Sequence, residues 1–154
     1  MKFKIIVLVF LMATIPSTLS ATNKYDKKHM FNAYQGSYAA KYIQVEKANR
    51  INLMIDVWSG FPKNMWITLS GISVPVVDKK SSTCKMKLAQ EGIKFSKEYF
   101  EKSKWIKVKN IFMERTDMID GVASIYTDKG MLSDLLKKSG FARSSSIDAK
   151  IPWC

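Results

Sequence analysis

The chain has 154 residues, with twenty-five lysines and arginines against thirteen acids, for a formal charge of +12 and a pI near 9.7. That length suits one domain with a real core and leaves little room for a second. One histidine and two cysteines 70 positions apart exclude a multi-histidine or cysteine-rich zinc centre, no glycine loop is built to cradle phosphate, and nothing positions a Ser-His-Asp triad.

At the N-terminus, Lys2 and Lys4 precede an apolar run from Ile5 to Ile15, followed by Pro16 and the small residues Ser17, Thr18, Ser20 and Ala21. Residues 1–20 are predicted to be a signal peptide, because the run is too short for a stop-transfer helix and the small residues suit cleavage before Ala21. The protein is therefore expected to be exported, periplasmic or secreted, with no transmembrane span after cleavage. Cleavage removes two lysines and no acid, leaving twenty-three bases against thirteen acids, a net +10. Such a field attracts nucleic acid, anionic lipid or an acidic protein without choosing among them. Both cysteines lie in the exported part, so one disulfide, Cys84–Cys154, is expected. On the chain-entropy account it contributes at most about 4 kcal/mol.

Residues 21–39 are polar and charged, include His29, and are read as a mobile arm; residues 40–154 are read as the domain. Strands are predicted at Lys41–Glu46, Arg50–Trp58 and Met65–Ile72, with Ser59–Asn64 as a loop. Leu88, Gly92, Phe95, Tyr99 and Ser103 recur at helical spacing, so Cys84–Lys104 is predicted to be an amphipathic helix with its lysines mainly on the solvated side. Two more strands follow, Trp105–Glu114 and Gly121–Thr127. A short helix over Met131–Ser139 then ends at Gly140. The expected fold is α+β: a five-stranded OB-fold β-barrel with two or three helices.

Three segments carry a family resemblance. Ile67-Thr68-Leu69-Ser70-Gly71-Ile72-Ser73-Val74-Pro75 resembles the segment Arg-Leu-x-Gly-Ile-Asp-x-Pro-Glu of the staphylococcal nuclease (thermonuclease-like) family. Glu114 to Tyr126 is similar to that family's Arg-x-Asp-x-Tyr-Gly-Arg-x-x-Ala-x-x-Tyr segment, and Met131–Arg143 to its final helix and Gly-Leu-Ala ending. The resemblance covers roughly residues 40 to 143. With Cys84 and the closing Pro152-Trp153-Cys154 it extends to an exported, proteobacterial-type branch with two cysteines.

The resemblance implies a calcium-dependent phosphodiesterase, whose chemistry needs carboxylates for the cation, a general base and two arginines for phosphate. In this sequence the first arginine position falls on Thr68, the metal-binding aspartate on Ser73 and the general base on Val76. The other metal-ligand position falls on Met54, whose thioether suits calcium poorly. The second arginine is deleted between Asp120 and Gly121, and two phosphate-contacting positions become Met118 and Ile119. Each such loss removes several kcal/mol of transition-state stabilisation, so a catalytically degenerate relative with no cofactor or metal is expected. A relocated metal site using Asp56 and Asp120 is the weaker alternative.

Trp58, Phe61 and Trp66, with Lys63 beside them, flank the loop between the second and third strands and are candidate stacking residues. Met54, Val76, Met118 and Ile119 would instead make the old cleft apolar, which suits a protein or envelope partner. The sequence therefore predicts a monomeric, non-catalytic binding module for a protein or envelope component. A non-cleaving nucleic-acid binder and a residual calcium-dependent nuclease are the alternatives.

Overall fold

A computed structural model describes residues 30–115, 117–146 and 151–154. The predicted signal peptide, its cleavage point and residues 21–29 of the predicted arm, with His29, lie outside the described residues. The fold is α+β, with a largely antiparallel six-stranded sheet and two helices. No described helix is long and apolar enough to cross a membrane.

The first strand, β1, spans Phe31–Lys47, so the reading of residues 31–39 as a mobile arm is corrected. Polar Asn32, Gln35 and Ser37 and the break at Gly36 obscure the β pattern. Ala33, Tyr34, Tyr38 and Ala40 nevertheless pack against the core, and the segment pairs with a later strand from Phe31 to Ala40. Gly36 (φ 100°) marks a bulge, where its N–H donates to the side-chain oxygen of Asn110 at 3.1 Å.

After the turn at Ala48-Asn49, β2 (Arg50–Trp58) and β3 (Phe61–Leu69) form a tight hairpin. Trp58 pairs with Phe61 across Ser59-Gly60, and Gly60 takes φ 81°. The predicted loop at Ser59–Asn64 is thus mostly strand: Pro62 and Asn64 disguise it, but both point to the outer side, while Met65, Ile67 and Leu69 are buried. The predicted third strand instead breaks at Ser70-Gly71, and Ile72–Ser73 forms a separate short strand, β4.

Helix α1 (Thr83–Glu101) begins at Ser82, whose hydroxyl accepts from the Lys85 N–H at 3.3 Å. It buries Ala89, Gly92, Ser96, Tyr99 and Phe100 and ends three residues before the predicted Lys104. The helix sits close over the β1–β2 turn. A Cβ on Gly92 would lie 3.1 Å from that of Ala48, and the Ser96 hydroxyl, fully buried, donates to the Ala48 carbonyl at 2.8 Å.

Strands β5 (Ile106–Met113) and β6 (Asp120–Thr127) follow, then β7 (Gly130–Met131), α2 (Leu132–Lys138) and β8 (Arg143–Ser144), which pairs with β4. The main sheet runs β3-β2-β1-β5-β6-β7, and β3 also pairs in parallel with β6 over Trp66–Leu69 and Asp120–Ala123. Five strands, β1, β2, β3, β5 and β6, therefore each have a neighbour on both sides. The long β1 makes this possible by pairing with β5 through its first half and with β2 through its second, Ala40 facing both Ile55 and Ile106. Inward alternation along β2, β3, β5 and β6 gives a core of Ile51, Leu53, Ile55, Met65, Ile67, Val108, Ile111, Met113 and Ile125.

Tyr99 joins α1 to this sheet, its hydroxyl donating to the Gly130 carbonyl at 2.7 Å. Burial pushes the phenol up to about 12; hydrogen bonding at Thr127 opposes the rise and the Asp128 carboxylate reinforces it. Because the folded-state pKa is raised above the ordinary 10.0, the contribution to stability is full below that value and is lost as pH climbs through about 12. In a comparison of wild type with Tyr99→Phe by chemical denaturation, the wild type is expected to lose on the order of 1 to 2 kcal/mol more than the variant across this window. Equal slopes would contradict the assignment.

Candidate functional site

The outer faces of β2, β3 and β6 carry Met54, Thr68 and Asp120, three of the positions that the resemblance singles out. Arg50 faces Thr68, Asn52 faces Trp66, and Trp66 in turn faces Asp120. The Arg50 Nη2 meets the Asp120 carboxylate at 2.6 Å, its Nε meets Glu46 at 2.6 Å, and its guanidinium lies 5.1 Å from the Trp66 ring centre. Burial works against the Arg50 charge, but hydrogen bonds to Asp120 and Glu46 outweigh it and hold the pKa above its ordinary value. Asp120, Glu46 and Trp66 are thereby engaged with one cation. Asp120 is not an open metal ligand, and Trp66 has a guanidinium on its ring.

The structure does not gather the substituted family positions around one cavity. Met54 lines a groove of about 340 Å³ with Ala39, Ala40, Lys41, Asp56, Gly60 and Pro62. Thr68 lines a separate depression beside Gly71, Val122 and Ser145. Val76, 54 % exposed, borders a third with Pro75, Ala89 and Ile93, while Ser73 pairs with Arg143 in the β4–β8 ladder. Asp56 shares the Met54 groove, as their i, i+2 spacing predicts. It lies four residues along β2 from Asn52, the residue in register with Trp66 and so with Asp120, which separates the two aspartates by roughly 13 Å of strand. Among the described residues no three His, Cys, Asp or Glu side chains come close enough to hold a metal ion.

Met118 packs against the core, whereas Ile119 is exposed and its carbonyl accepts the Trp66 N–H at 2.7 Å, at the start of the β3–β6 pairing. They do not form one apolar cleft with Met54 and Val76. The turn residues behave differently: Trp58 and Phe61 are 71 % and 75 % exposed at the hairpin tip. The Lys63 ammonium lies 5.8 Å from the ring centre of Tyr34. Tyr34 and Tyr38, with Asn32, Ala33, Gln35 and Trp58, line a cup of about 670 Å³. Sequence reasoning missed both tyrosines because they fell in the presumed arm. The recurrence of Tyr34, Tyr38 and Tyr42 four residues apart, all partly buried against the core, was the available signal.

A second surface follows the outer sides of β5 and β6. Lys107 lies 5.4 Å from the Trp105 ring centre and Lys109 lies 4.5 Å from that of Tyr126, with Phe112 exposed farther along β5. These lysine–ring contacts put cations and aromatic surface side by side on one sheet face. No protein-family model and no curated protein matches this chain.

Proposed function

We propose that this chain is an exported, non-catalytic binding protein on a staphylococcal-nuclease-type barrel, acting as a monomer on a protein or envelope component. Five strands with neighbours on both sides, a helix between the third and fourth of them and another after the fifth support an OB-type barrel. Export is supported by the leader-like N-terminus and by the Cys84–Cys154 disulfide. The observation that carries the non-catalytic reading is the Arg50–Asp120 ion pair. It occupies the outer face of the barrel with a neutralised pair, while Met54, Thr68 and Val76 line three separate depressions. The Glu46 and Asp120 carboxylates beside it are both engaged by Arg50, and the other two arginines are occupied elsewhere, Arg115 with Asp117 and Arg143 with the Ile151 and Pro152 carbonyls. Among these contacts that leaves neither a free base nor a second guanidinium for phosphodiester cleavage.

Supercoiled plasmid incubated with the purified mature protein and excess calcium is expected to stay intact. Calcium-dependent nicking that disappears with a chelator would defeat the proposal in favour of a residual nuclease.

A second reading, a non-cleaving nucleic-acid binder, is favoured by the Lys107–Trp105 and Lys109–Tyr126 pairs. Labelled single-stranded DNA titrated at two salt concentrations tests it. Binding that weakens steeply with salt supports this reading, and no binding at low salt removes it.

A further inference from the structure

The cup beside the hairpin tip has an unusual lining for so basic a protein: Asn32, Ala33, Tyr34, Gln35, Tyr38 and Trp58 carry no charge among them. We infer that the three rings and two amides of this cup form a binding site for a neutral saccharide. This names the ligand class of the binding role proposed above and rests on it.

A pyranose ring presents apolar C–H faces and a rim of hydroxyls. The C–H faces are weakly electropositive and pack on the electron-rich faces of aromatic rings. Tyr34 and Tyr38 stand at 82° with centroids 6.3 Å apart, so they form an aromatic corner instead of a stack. Trp58, mostly exposed, supplies another ring surface. Each hydroxyl both donates and accepts, and the amides of Asn32 and Gln35 offer both functions. The Asn32 side-chain oxygen is buried with no donor among the described residues, so this lining residue has an acceptor left unsatisfied.

The cup is also braced in advance. The Tyr38 hydroxyl donates to the Gln35 carbonyl at 2.6 Å, and the Gly36–Asn110 hydrogen bond pins the bulge between them. The cup is an open surface depression of about 670 Å³, and side chains already braced lose little ordering entropy on binding. A nucleic-acid strand needs cations along its phosphates. Lys63 lies 5.8 Å from the Tyr34 ring centre, a single cation near the cup and not a row of them, and Lys107 and Lys109, which pair with other aromatic rings, are not in this lining.

The test titrates the folded mature protein with chitotriose, maltotriose and cellotriose, followed by tryptophan fluorescence and backbone amide NMR shifts. At least one trisaccharide is expected to bind saturably with a Kd of about 0.1 to 5 mM, with shifts confined to residues 32–38 and the hairpin tip. Trp58→Ala, at an exposed position, is expected to weaken binding about tenfold or more, while Trp105→Ala leaves it unchanged. Asn32→Ala is expected to weaken binding without lowering thermal stability, which a purely structural role for Asn32 would not produce. Absence of saturable binding to all three sugars up to about 20 mM, or binding indifferent to both Trp58→Ala and Asn32→Ala, overturns the inference. A plasmid assay on the same sample separates the two failures: intact plasmid without sugar binding defeats only the saccharide assignment, whereas cleavage defeats the non-catalytic role itself.

Discussion

Reduction of Cys84–Cys154 is expected to lower the unfolding free energy by up to about 4 kcal/mol, since the crosslink closes a loop of some seventy residues in the unfolded chain. The Cα atoms are 6.3 Å apart, joining the first turn of α1 to the last residue. In the folded state the terminal segment has a second anchor. Arg143 donates to the Ile151 carbonyl at 2.9 Å and the Pro152 carbonyl at 3.1 Å, and its guanidinium lies 4.3 Å from the Trp153 ring centre. Reduction should therefore leave the native contacts in place and act mainly by freeing the unfolded chain. Thermal unfolding with and without reductant, alongside Cys84→Ser/Cys154→Ser, is expected to show a fall in Tm of about 10 °C or more for both. An unchanged Tm would show that the crosslink adds nothing to stability.

Gly121→Val is expected to cost about 3 kcal/mol or more, because β6 approaches its neighbour too closely to admit a side chain there. A Cβ on Gly121 would lie 2.9 Å from the Ile111 Cγ2 and 3.4 Å from the Phe112 carbonyl oxygen. Ile111 is fully buried, so it has no free volume into which to withdraw. Gly121→Ala should fall between wild type and Gly121→Val in urea unfolding. Wild-type stability in both variants would mean that β5 and β6 can separate at little cost. The glycine that carries part of the family resemblance is thus explained here by packing alone, independently of any chemistry.

Much of the β pattern was legible locally. Arg50–Trp58 is a strand as predicted, because Ile51, Leu53 and Ile55 alternate with outward Asn52, Met54 and Asp56. Gly121–Thr127 was found for the same reason, with Asp120 added at its start. The helix of Cys84–Lys104 was recognised from its apolar spacing, although Ser96 and Phe100, not Ser103, complete the buried stripe. Phe31–Ala39 was misread because its pairing with β5 and the Gly36–Asn110 bulge, rather than its own composition, hold it in the sheet. Phe61–Asn64 was hidden by a proline that the hairpin tolerates on its outer side.

The candidate sites divide in the same way. Sequence alone determined the basic charge and the cysteine pair, because these depend only on which residues occur and in what order. It also pointed to Trp58 and Phe61, whose place at a turn is a local property. The Arg50–Asp120 pair, the separation of Asp56 from Asp120, and the meeting of Tyr34 and Tyr38 with Trp58 were decided by the tertiary structure. Those features depend on register between strands far apart in the chain, and a shift of one residue would turn each side chain to the opposite face of the sheet.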